Sequence, residues 1–198
     1  MDLQKTIKSF EKKGYVVHNF ETVAEAADYL VDNIKDTTVG IGGSQTVKDM
    51  GIYERLCESN KVYWHWIENT MEVRKQANSA NVYLVSANGV SENGEIVNID
   101  GLGNRIAATA FEAEHLIYII GTNKIVPTLE DAIWRARNVA APPNAKRLNR
   151  KTPCAVKGDK CYDCASPDRI CKVMSVNMHK PDAVKKAEII IINQSLGF

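Results

Sequence analysis

Two apolar runs decide the fold that this sequence predicts: Leu116-Ile117-Tyr118-Ile119-Ile120 and Ile189-Ile190-Ile191-Ile192. A strand that is covered by helices on both faces has no polar side, so its residues form an unbroken apolar run. The other strand candidates are Tyr15–Phe20, Thr38–Ile41, Lys61–Trp66 and Asn81–Ser86. Helical patterns separate these strands. Strands that alternate with helices predict an α/β fold with a doubly wound, mostly parallel sheet.

Composition narrows the class of protein. Of the 198 residues 44% are apolar, which is enough to bury a core, and the net charge is only +1. A nucleic-acid-binding protein needs a clustered basic excess to release phosphate counterions, so the charge balance argues against that class. No apolar run approaches the roughly 20 residues that span a bilayer. The first residues also lack the layout of a secretion signal, and we therefore expect a soluble, cytoplasmic protein.

The regular pattern is expected to end at Ala141-Pro142-Pro143-Asn144. A basic stretch with little periodicity follows until about Val173, and it carries four of the five cysteines. The last apolar run then returns the chain to the sheet. We therefore predict one domain over residues 1–198, with a Cys-rich insertion at 141–173.

The cysteines of this insertion have the spacing Cys154-x6-Cys161-x2-Cys164-x6-Cys171. Thiols stay reduced in the cytosol, so metal or redox chemistry is favoured over structural disulfides. Four thiolates can surround a tetrahedral Zn²⁺ or a 4Fe–4S cluster. The spacing is neither that of a standard zinc ribbon nor that of the bacterial ferredoxins. A reversible dithiol, or reduced thiols packed under the loop, would account for the same residues.

A glycine turn, Gly40-Ile41-Gly42-Gly43-Ser44, lies between a predicted strand and a predicted helix. Backbone N–H groups exposed at such a turn attract phosphate or carboxylate. The turn is not a Walker loop, because no Lys-Ser/Thr pair closes it, and Gln45 replaces the third glycine of the dinucleotide fingerprint. A tight turn with Ser44 as helix N-cap explains the same residues equally well.

A second polar and glycine-rich segment follows the strand at Asn81–Ser86. Asn93-Gly94 predicts a hairpin turn, and Gly101-Leu102-Gly103 opens a helix with Arg105 free to pair with an anion. Open α/β sheets bind ligands at the carboxyl ends of their strands, so we predict an anion-binding crevice between the two turns. Lys124 could also reach this crevice. The predicted ligand-binding residues are Gly42, Gly43, Ser44, Asn88, Asn98, Asp100, Gly101, Gly103, Asn104, Arg105 and Lys124.

The histidines and tryptophans carry a weaker signal. His18, His65, His115 and His179 show no metal-ligand spacing among themselves. A single histidine is more often a structural residue than a ligand. The tryptophans on either side of His65 are expected to pack rather than to stack against a ligand.

The order of the motifs resembles the LUD (lactate-utilisation) domain family. The resemblance is carried by Gly42-Gly43-Ser44, Ser86-Ala87-Asn88, Val97-Asn98, Asp100–Arg105, Asn123–Pro127, Arg137–Pro142 and Leu196-Gly197-Phe198. It implies the fold shared by ribose-phosphate isomerases, glucosamine-phosphate deaminases and CoA transferases. It also implies a role in oxidising lactate to pyruvate alongside iron–sulfur partner subunits. That role favours a 4Fe–4S cluster over zinc at the four cysteines.

Three functions stay open at this point. The first is an accessory protein or subunit of a lactate-oxidising redox system that binds a small carboxylate or phosphorylated metabolite. The second is a CoA-transferase-like or sugar-phosphate-acting enzyme, because Ser91-Glu92-Asn93-Gly94 resembles the tetrapeptide that carries the nucleophilic glutamate of CoA transferases. The related isomerases place an acidic residue where this chain has Asn88, which argues against isomerisation by their route. The third is a non-catalytic ligand sensor with structural zinc; homo-oligomer formation is also left open.

Overall fold

The computed structural model describes residues 1–111 and 113–198. Within them, the α-helices are α1 Leu3–Lys12, α2 Val23–Asn33, α3 Gln45–Asp49, α4 Tyr53–Cys57, α5 Met71–Asn78, α6 Asn104–Ala110, α7 Leu129–Arg135, α8 Ala141–Arg147 and α9 Pro153–Lys157. The strands are β1 Val16–Phe20, β2 Thr38–Ile41, β3 Lys61–Trp64, β4 Val82–Val85, β5 Gly89–Ser91, β6 Ile96–Asp100, β7 His115–Gly121, β8 Ile125–Val126, β9 Val173–Asn177 and β10 Lys186–Ile192. Short 3₁₀ and π-helical turns lie at Thr122–Lys124 and Ala136–Ala140.

Within the described residues, the main sheet has six strands in the order β1-β10-β7-β4-β2-β3, and every neighbouring pair is parallel. The two apolar runs of the sequence are its central strands β7 and β10. Leu116, Tyr118 and Ile120 pack into the core on one face of the sheet, and Ile117 and Ile119 pack into the core on the other face. Helices therefore cover both faces, and the predicted doubly wound α/β fold is confirmed.

A second sheet was not expected from the sequence. In the described part of the chain it contains the strands β8-β5-β6-β9, with β6 antiparallel to both of its neighbours. The Asn93-Gly94 turn joins β5 to β6, with Gly94 at φ +80° and its N–H donating to the Ser91 carbonyl at 2.9 Å. The hairpin prediction is therefore confirmed. Strands β5 and β8 have only three and two residues, which is too short for any sequence periodicity to reveal.

The expected end of regular structure at Ala141 is wrong. Helix α8 begins at this residue and follows the π-helical turn without a break. Pro142 and Pro143 lie in the first turn of α8, where backbone N–H groups need no partner within the helix. The Cys-rich insertion predicted at 141–173 is not confirmed, because its first part is this helix. None of the described helices combines the length and the apolar composition that crossing a bilayer requires.

Candidate functional site

A cavity of about 780 Å³ opens beside the carboxyl ends of β2 and β3. Both glycine turns contribute to its wall, although the second turn follows β6 of the smaller sheet. Of the residues predicted to bind a ligand, the structure brings six together on this wall: Gly43, Asn88, Asp100, Gly101, Asn104 and Arg105. This position agrees with the general placement of ligands at the carboxyl ends of parallel strands.

The first glycine turn touches the second through an arginine. A Cβ atom added at Gly42 would lie 3.2 Å from Cγ of Arg105 and 3.0 Å from the Tyr83 hydroxyl. A Cβ atom at Gly43 would lie 3.2 Å from Nε2 of His65. Ser44 is the N-cap of α3, because its Oγ accepts a hydrogen bond from the Val47 N–H at 3.2 Å. The glycines therefore leave room for side chains from neighbouring elements.

The second turn is held together by its own carboxylate. Asp100 accepts hydrogen bonds from the N–H groups of Gly101 at 2.8 Å and Arg105 at 2.9 Å. Asn88 accepts one from the Ile99 N–H at 2.8 Å, and Arg105 donates to the Ile99 carbonyl. The amides of Gly101 and Arg105 thus already have an acceptor within the protein. Attraction for an anion can also come from side chains.

Cationic side chains supply that attraction. In residues 1–111 and 113–198 the cavity is lined by five of them, Lys48, Arg74, Arg105, Arg147 and Arg150. The acidic residues on the described wall are Glu54 and Asp100, and Asp100 is already engaged by the second turn. A concave site lined by an excess of one charge concentrates ligands of the opposite charge. The cavity is therefore suited to an anion.

His65 lies on the cavity wall and is neutral at pH 7. Burial and, to a lesser extent, the positive charges of Arg74, Arg105 and Arg147 together lower its pKa to about 4, against the opposite effect of Asp100. Proteins commonly perturb pKa values at functional sites. From the sequence alone, His65 was expected to be a structural residue.

The two tryptophans beside His65 pack against each other, as expected, but they also line the cavity. Their rings stack with centroids 5.5 Å apart, and the Arg147 guanidinium lies 4.4 Å from the centroid of the Trp66 ring. Trp64 is 6% exposed, and its Nε1 has no hydrogen-bond partner among the described residues. A buried N–H donor without a partner is uncommon and calls for an explanation.

The family model that describes the LUD domain matches residues 3–192. The chain belongs to the LUD domain family. This family is associated with lactate utilisation. The crystal structure of a DUF162 family protein from Deinococcus radiodurans is similar to this LUD domain, with a TM-score of 0.54, 11% sequence identity and coverage of 96% of each chain. At this identity the likeness shows the fold alone. No curated protein matches the chain.

The remaining predicted ligand residues of the LUD domain are not part of the described wall of the cavity. Lys124 is 3% exposed and donates to the carbonyl oxygens of Ala87 at 3.1 Å and Phe198 at 2.9 Å. Burial, with the nearby charges of Arg135 and Arg105, lowers its pKa to about 7. Asn98 is buried in β6, and its carboxamide has no partner in the part of the chain that is described. Gly103 starts α6 at φ +85°.

Glu92 lies in the β5–β6 turn and contacts the first residues of the chain. It accepts a hydrogen bond from the Asp2 N–H at 2.7 Å and lies 3.6 Å from the ammonium group of Lys5. The Asp2 hydrogen bond, more than any other contact, holds the pKa of this carboxyl below its ordinary value. Glu92 is not among the described residues of the cavity wall, so the structure does not bring it to the glycine turns.

The four clustered cysteines of the LUD domain carry free, half-buried thiols. Sγ of Cys161 accepts hydrogen bonds from Arg137 at 3.6 Å and from the Asp163 N–H at 3.4 Å. Across residues 1–111 and 113–198, no three His, Cys, Asp or Glu side chains lie close enough together to hold a metal ion. Four thiols are the right donors for zinc or a 4Fe–4S cluster, but their arrangement here does not fit either group. The cluster at Cys154, Cys161, Cys164 and Cys171 stays a prediction from the residue types.

Several cavity residues were missed by the sequence analysis. His65 and Trp66 directly follow β3, which ends at Trp64 and not at Trp66 as the sequence predicts. Their place at a strand end was therefore hidden by the predicted bounds of the strand. No feature of the sequence indicated that Arg74 and Arg147 line a cavity, because they lie on helices, where an arginine is ordinarily solvated. Only the packing of α5 and α8 around the strand ends brings these side chains to the cavity.

Proposed function

We propose that this LUD domain binds a small anionic metabolite, a carboxylate or a phosphorylated compound, in the cavity beside the glycine turns. In this proposal it serves the oxidation of lactate to pyruvate as an accessory protein or subunit of a redox system. The observation that carries the proposal is the excess of cationic over acidic side chains on the described wall of the cavity. The association of the family with lactate utilisation supplies the process.

The cavity residues have distinct roles in this proposal. Arg105 is fixed by its contacts with Ile99 and Asp100, so it offers an anion a donor that is already in position. A donor that is fixed in advance loses little conformational entropy on binding. His65 is neutral and can donate or accept a proton at the wall of the cavity.

Lactate oxidation also requires a path for electrons. The conversion of lactate to pyruvate releases two electrons and two protons, so an acceptor has to take the electrons. Iron–sulfur partner subunits would fill that role, because the clustered cysteines of this chain are not arranged to hold a 4Fe–4S cluster. Zinc at the same cysteines would be structural instead, because zinc has no redox chemistry in proteins.

The group-transfer alternative has less support. It requires Glu92 to attack a bound acyl group, whereas Glu92 is engaged with Asp2 and Lys5 outside the described wall of the cavity. A ligand sensor would use the same cavity without turnover. Formation of pyruvate from lactate in the presence of an electron acceptor and the partner subunits would distinguish the redox role from sensing.

Isothermal titration calorimetry tests the anion site directly. We expect at least one of L-lactate, pyruvate, inorganic phosphate and ribose 5-phosphate to bind the wild-type chain, and Arg105→Gln to weaken that binding about tenfold or more, because a charge-assisted hydrogen bond is lost. The matched control is Arg55→Gln. Arg55 pairs with Asp28 on the exposed surface at 2.8 Å and does not belong to the described cavity wall.

The control should bind with wild-type affinity, and circular dichroism should show that both variants are folded. If none of the four anions binds, or if Arg105→Gln and Arg55→Gln behave alike, the cavity is not the anion site.

A further inference from the structure

We propose that the natural occupant of the cavity carries a phosphoryl group, which docks at a subsite formed by Gly43, His65 and Trp66 within reach of Arg74, Arg105 and Arg147. This inference rests on the proposed anion-binding function and names the class of ligand. Three features of the cavity support it: a space kept free by a glycine, ring N–H donors without protein partners, and more positive charge than one carboxylate can balance.

The space lies above the α-carbon of Gly43. A Cβ atom at this position would be 3.2 Å from Nε2 of His65 and 3.3 Å from Nε1 of Trp66. Gly43 does not have a positive φ angle, so its backbone would accept another residue without strain. Gly43 is therefore needed because it has no side chain to fill the space next to His65 and Trp66, and not because its backbone angles require glycine. Two ring nitrogens converge on the volume that a methyl group would fill.

Two other side chains of the cavity wall, Trp64 and Arg74, carry donors that have no acceptor among the described residues. An indole Nε1–H can only donate. Nε1 of Trp64, next to the stacked ring of Trp66, is buried and has no partner among the described residues, and the same is true of Nε of Arg74. Buried donors are almost always satisfied by protein, water or ligand. These donors predict a ligand with several acceptor oxygens.

The charge of the wall distinguishes a phosphoryl group from a single carboxylate. Lactate and pyruvate each carry one negative charge, whereas a phosphate monoester carries about −1.5 to −2 at pH 7 and has three acceptor oxygens. The cations nearest His65 come from three different helices, Arg74 from α5, Arg105 from α6 and Arg147 from α8. Donors arriving from several directions fit a tetrahedral group better than the two coplanar oxygens of a carboxylate.

The volume also exceeds what a three-carbon acid needs. Pockets of about 300–1,000 Å³ hold ligands of drug or cofactor size, and this cavity measures about 780 Å³. A phosphoryl group at Gly43 would leave room for the rest of the molecule beside Tyr53, Ile52 and Ala140.

His65 provides a reporter for the phosphoryl group. The charged groups that face it are Arg74, Arg105, Arg147 and Asp100, and their net positive charge helps to keep the ring neutral. A dianion in the subsite would offset those arginines, so binding should raise the pKa of His65. The shift can be followed by NMR on the ring Cε1–H signal as a function of pH, without any enzymatic assay.

The experiment compares inorganic phosphate and ribose 5-phosphate with L-lactate and pyruvate by calorimetry and by the NMR titration of His65. We expect the phosphate compounds to bind at least tenfold more tightly and to raise the pKa of His65 by about one unit, which corresponds to tenfold in proton affinity. Gly43→Ala should reduce phosphate affinity at least tenfold, because its methyl group occupies the subsite. Arg74→Gln should also weaken binding, and the surface control Arg55→Gln should not.

Each outcome has a defined meaning. If L-lactate or pyruvate binds as tightly as the phosphate compounds, the phosphoryl inference fails and the proposed function stands. If no anion binds, both fail. If phosphate binds but neither Gly43→Ala nor Arg74→Gln weakens it, the subsite is wrongly located and the inference is overturned. Arg74→Gln keeps the test valid should Gly43→Ala not fold.

Discussion

The two ends of the parallel sheet differ in whether their charged side chains are paired within the protein. At the amino ends of the strands, Glu188 is 2% exposed and is surrounded by partners: His115 at 2.9 Å, His18 at 3.4 Å, Tyr29 at 3.2 Å and the ammonium group of Lys186. At the carboxyl ends, the described wall of the cavity has more cations than acids and contains donors without acceptors. Charge is therefore balanced in the first region, whereas the described wall of the second has an excess of positive charge.

The pKa values of the two regions show the same difference. Burial disfavours the charged form of any group. For Glu188, burial raises the pKa, but hydrogen bonds from His115 and Lys186 outweigh burial and lower the pKa to about 2. For His65, burial and the nearby arginines both favour the neutral ring, and together they lower its pKa to about 4. Charge that is balanced within the protein stabilises the fold, whereas unbalanced charge at a cavity is available to a ligand.

The largest expected effect is the loss of the Glu188 carboxylate. Glu188→Gln removes the counter-charge of Lys186 and the charged acceptor beside His115, and a hydrogen bond to a charged group contributes about 1.5–3 kcal/mol. We expect urea denaturation to show a decrease of that order in the free energy of unfolding. Glu114→Gln is the control, because Glu114 pairs with Lys185 on the exposed surface, where such a pair contributes about 0–1 kcal/mol. Equal effects in both variants would remove the contrast between the two ends of the sheet.

The second expected effect is a stability profile with two acid transitions. The unfolded chain binds more protons than the folded chain wherever the pKa of a group is lower in the folded state, so stability falls as the pH decreases. For His65 this window lies between its ordinary pKa of 6.5 and about 4, and for Glu188 it lies between 4.5 and about 2.

Denaturation measured across the pH range separates the two groups. His65→Gln should flatten the profile between pH 6.5 and 4 and leave the lower part unchanged. Glu188→Gln should flatten the profile between pH 4.5 and about 2 and leave the upper part unchanged. A single variant that removes both transitions would mean that the two ends of the sheet do not titrate independently.

The smallest expected effect on stability comes from the cavity itself. Arg74→Gln removes one of several like charges together with hydrogen bonds to the Thr70 carbonyl and Asn69, so we expect the free energy of unfolding to change by about 1 kcal/mol or less. The pKa of His65 should nevertheless rise, because Arg74 is one of the charges that lower it. A large loss of stability would show that Arg74 supports the fold, and an unchanged pKa would show that its charge does not reach His65.

The fold was predictable because its signals are local. The apolar runs of β7 and β10 and the Asn93-Gly94 turn each depend on residues that are adjacent in sequence. The end of regular structure expected at Ala141-Pro142-Pro143-Asn144 was wrong for an equally local reason, since proline is compatible with the first turn of a helix. The smaller sheet was missed because β5 and β8 are short and their pairing is between distant segments.

The candidate site was only partly accessible to the same reasoning. Gly43, Asp100 and Arg105 lie in turns with a recognisable composition, and the structure places all three on one cavity. Glu92 and Lys124 lie in equally suggestive segments but contact other parts of the chain. Spacing in the sequence does not distinguish these cases, because it contains no information on which loops share a side of the sheet.

The sequence by itself therefore determined the strands of the main sheet, the Asn93-Gly94 turn and the family of this protein, since each of these follows from neighbouring residues and their order. The tertiary structure alone decided that the amides of Gly101 and Arg105 donate to Asp100 and that His65, Trp66, Arg74 and Arg147 meet at one cavity. The physical reason is that hydrogen-bond acceptors and unbalanced charges act over a few ångströms in space. The residues that share such a site come from elements far apart along the chain.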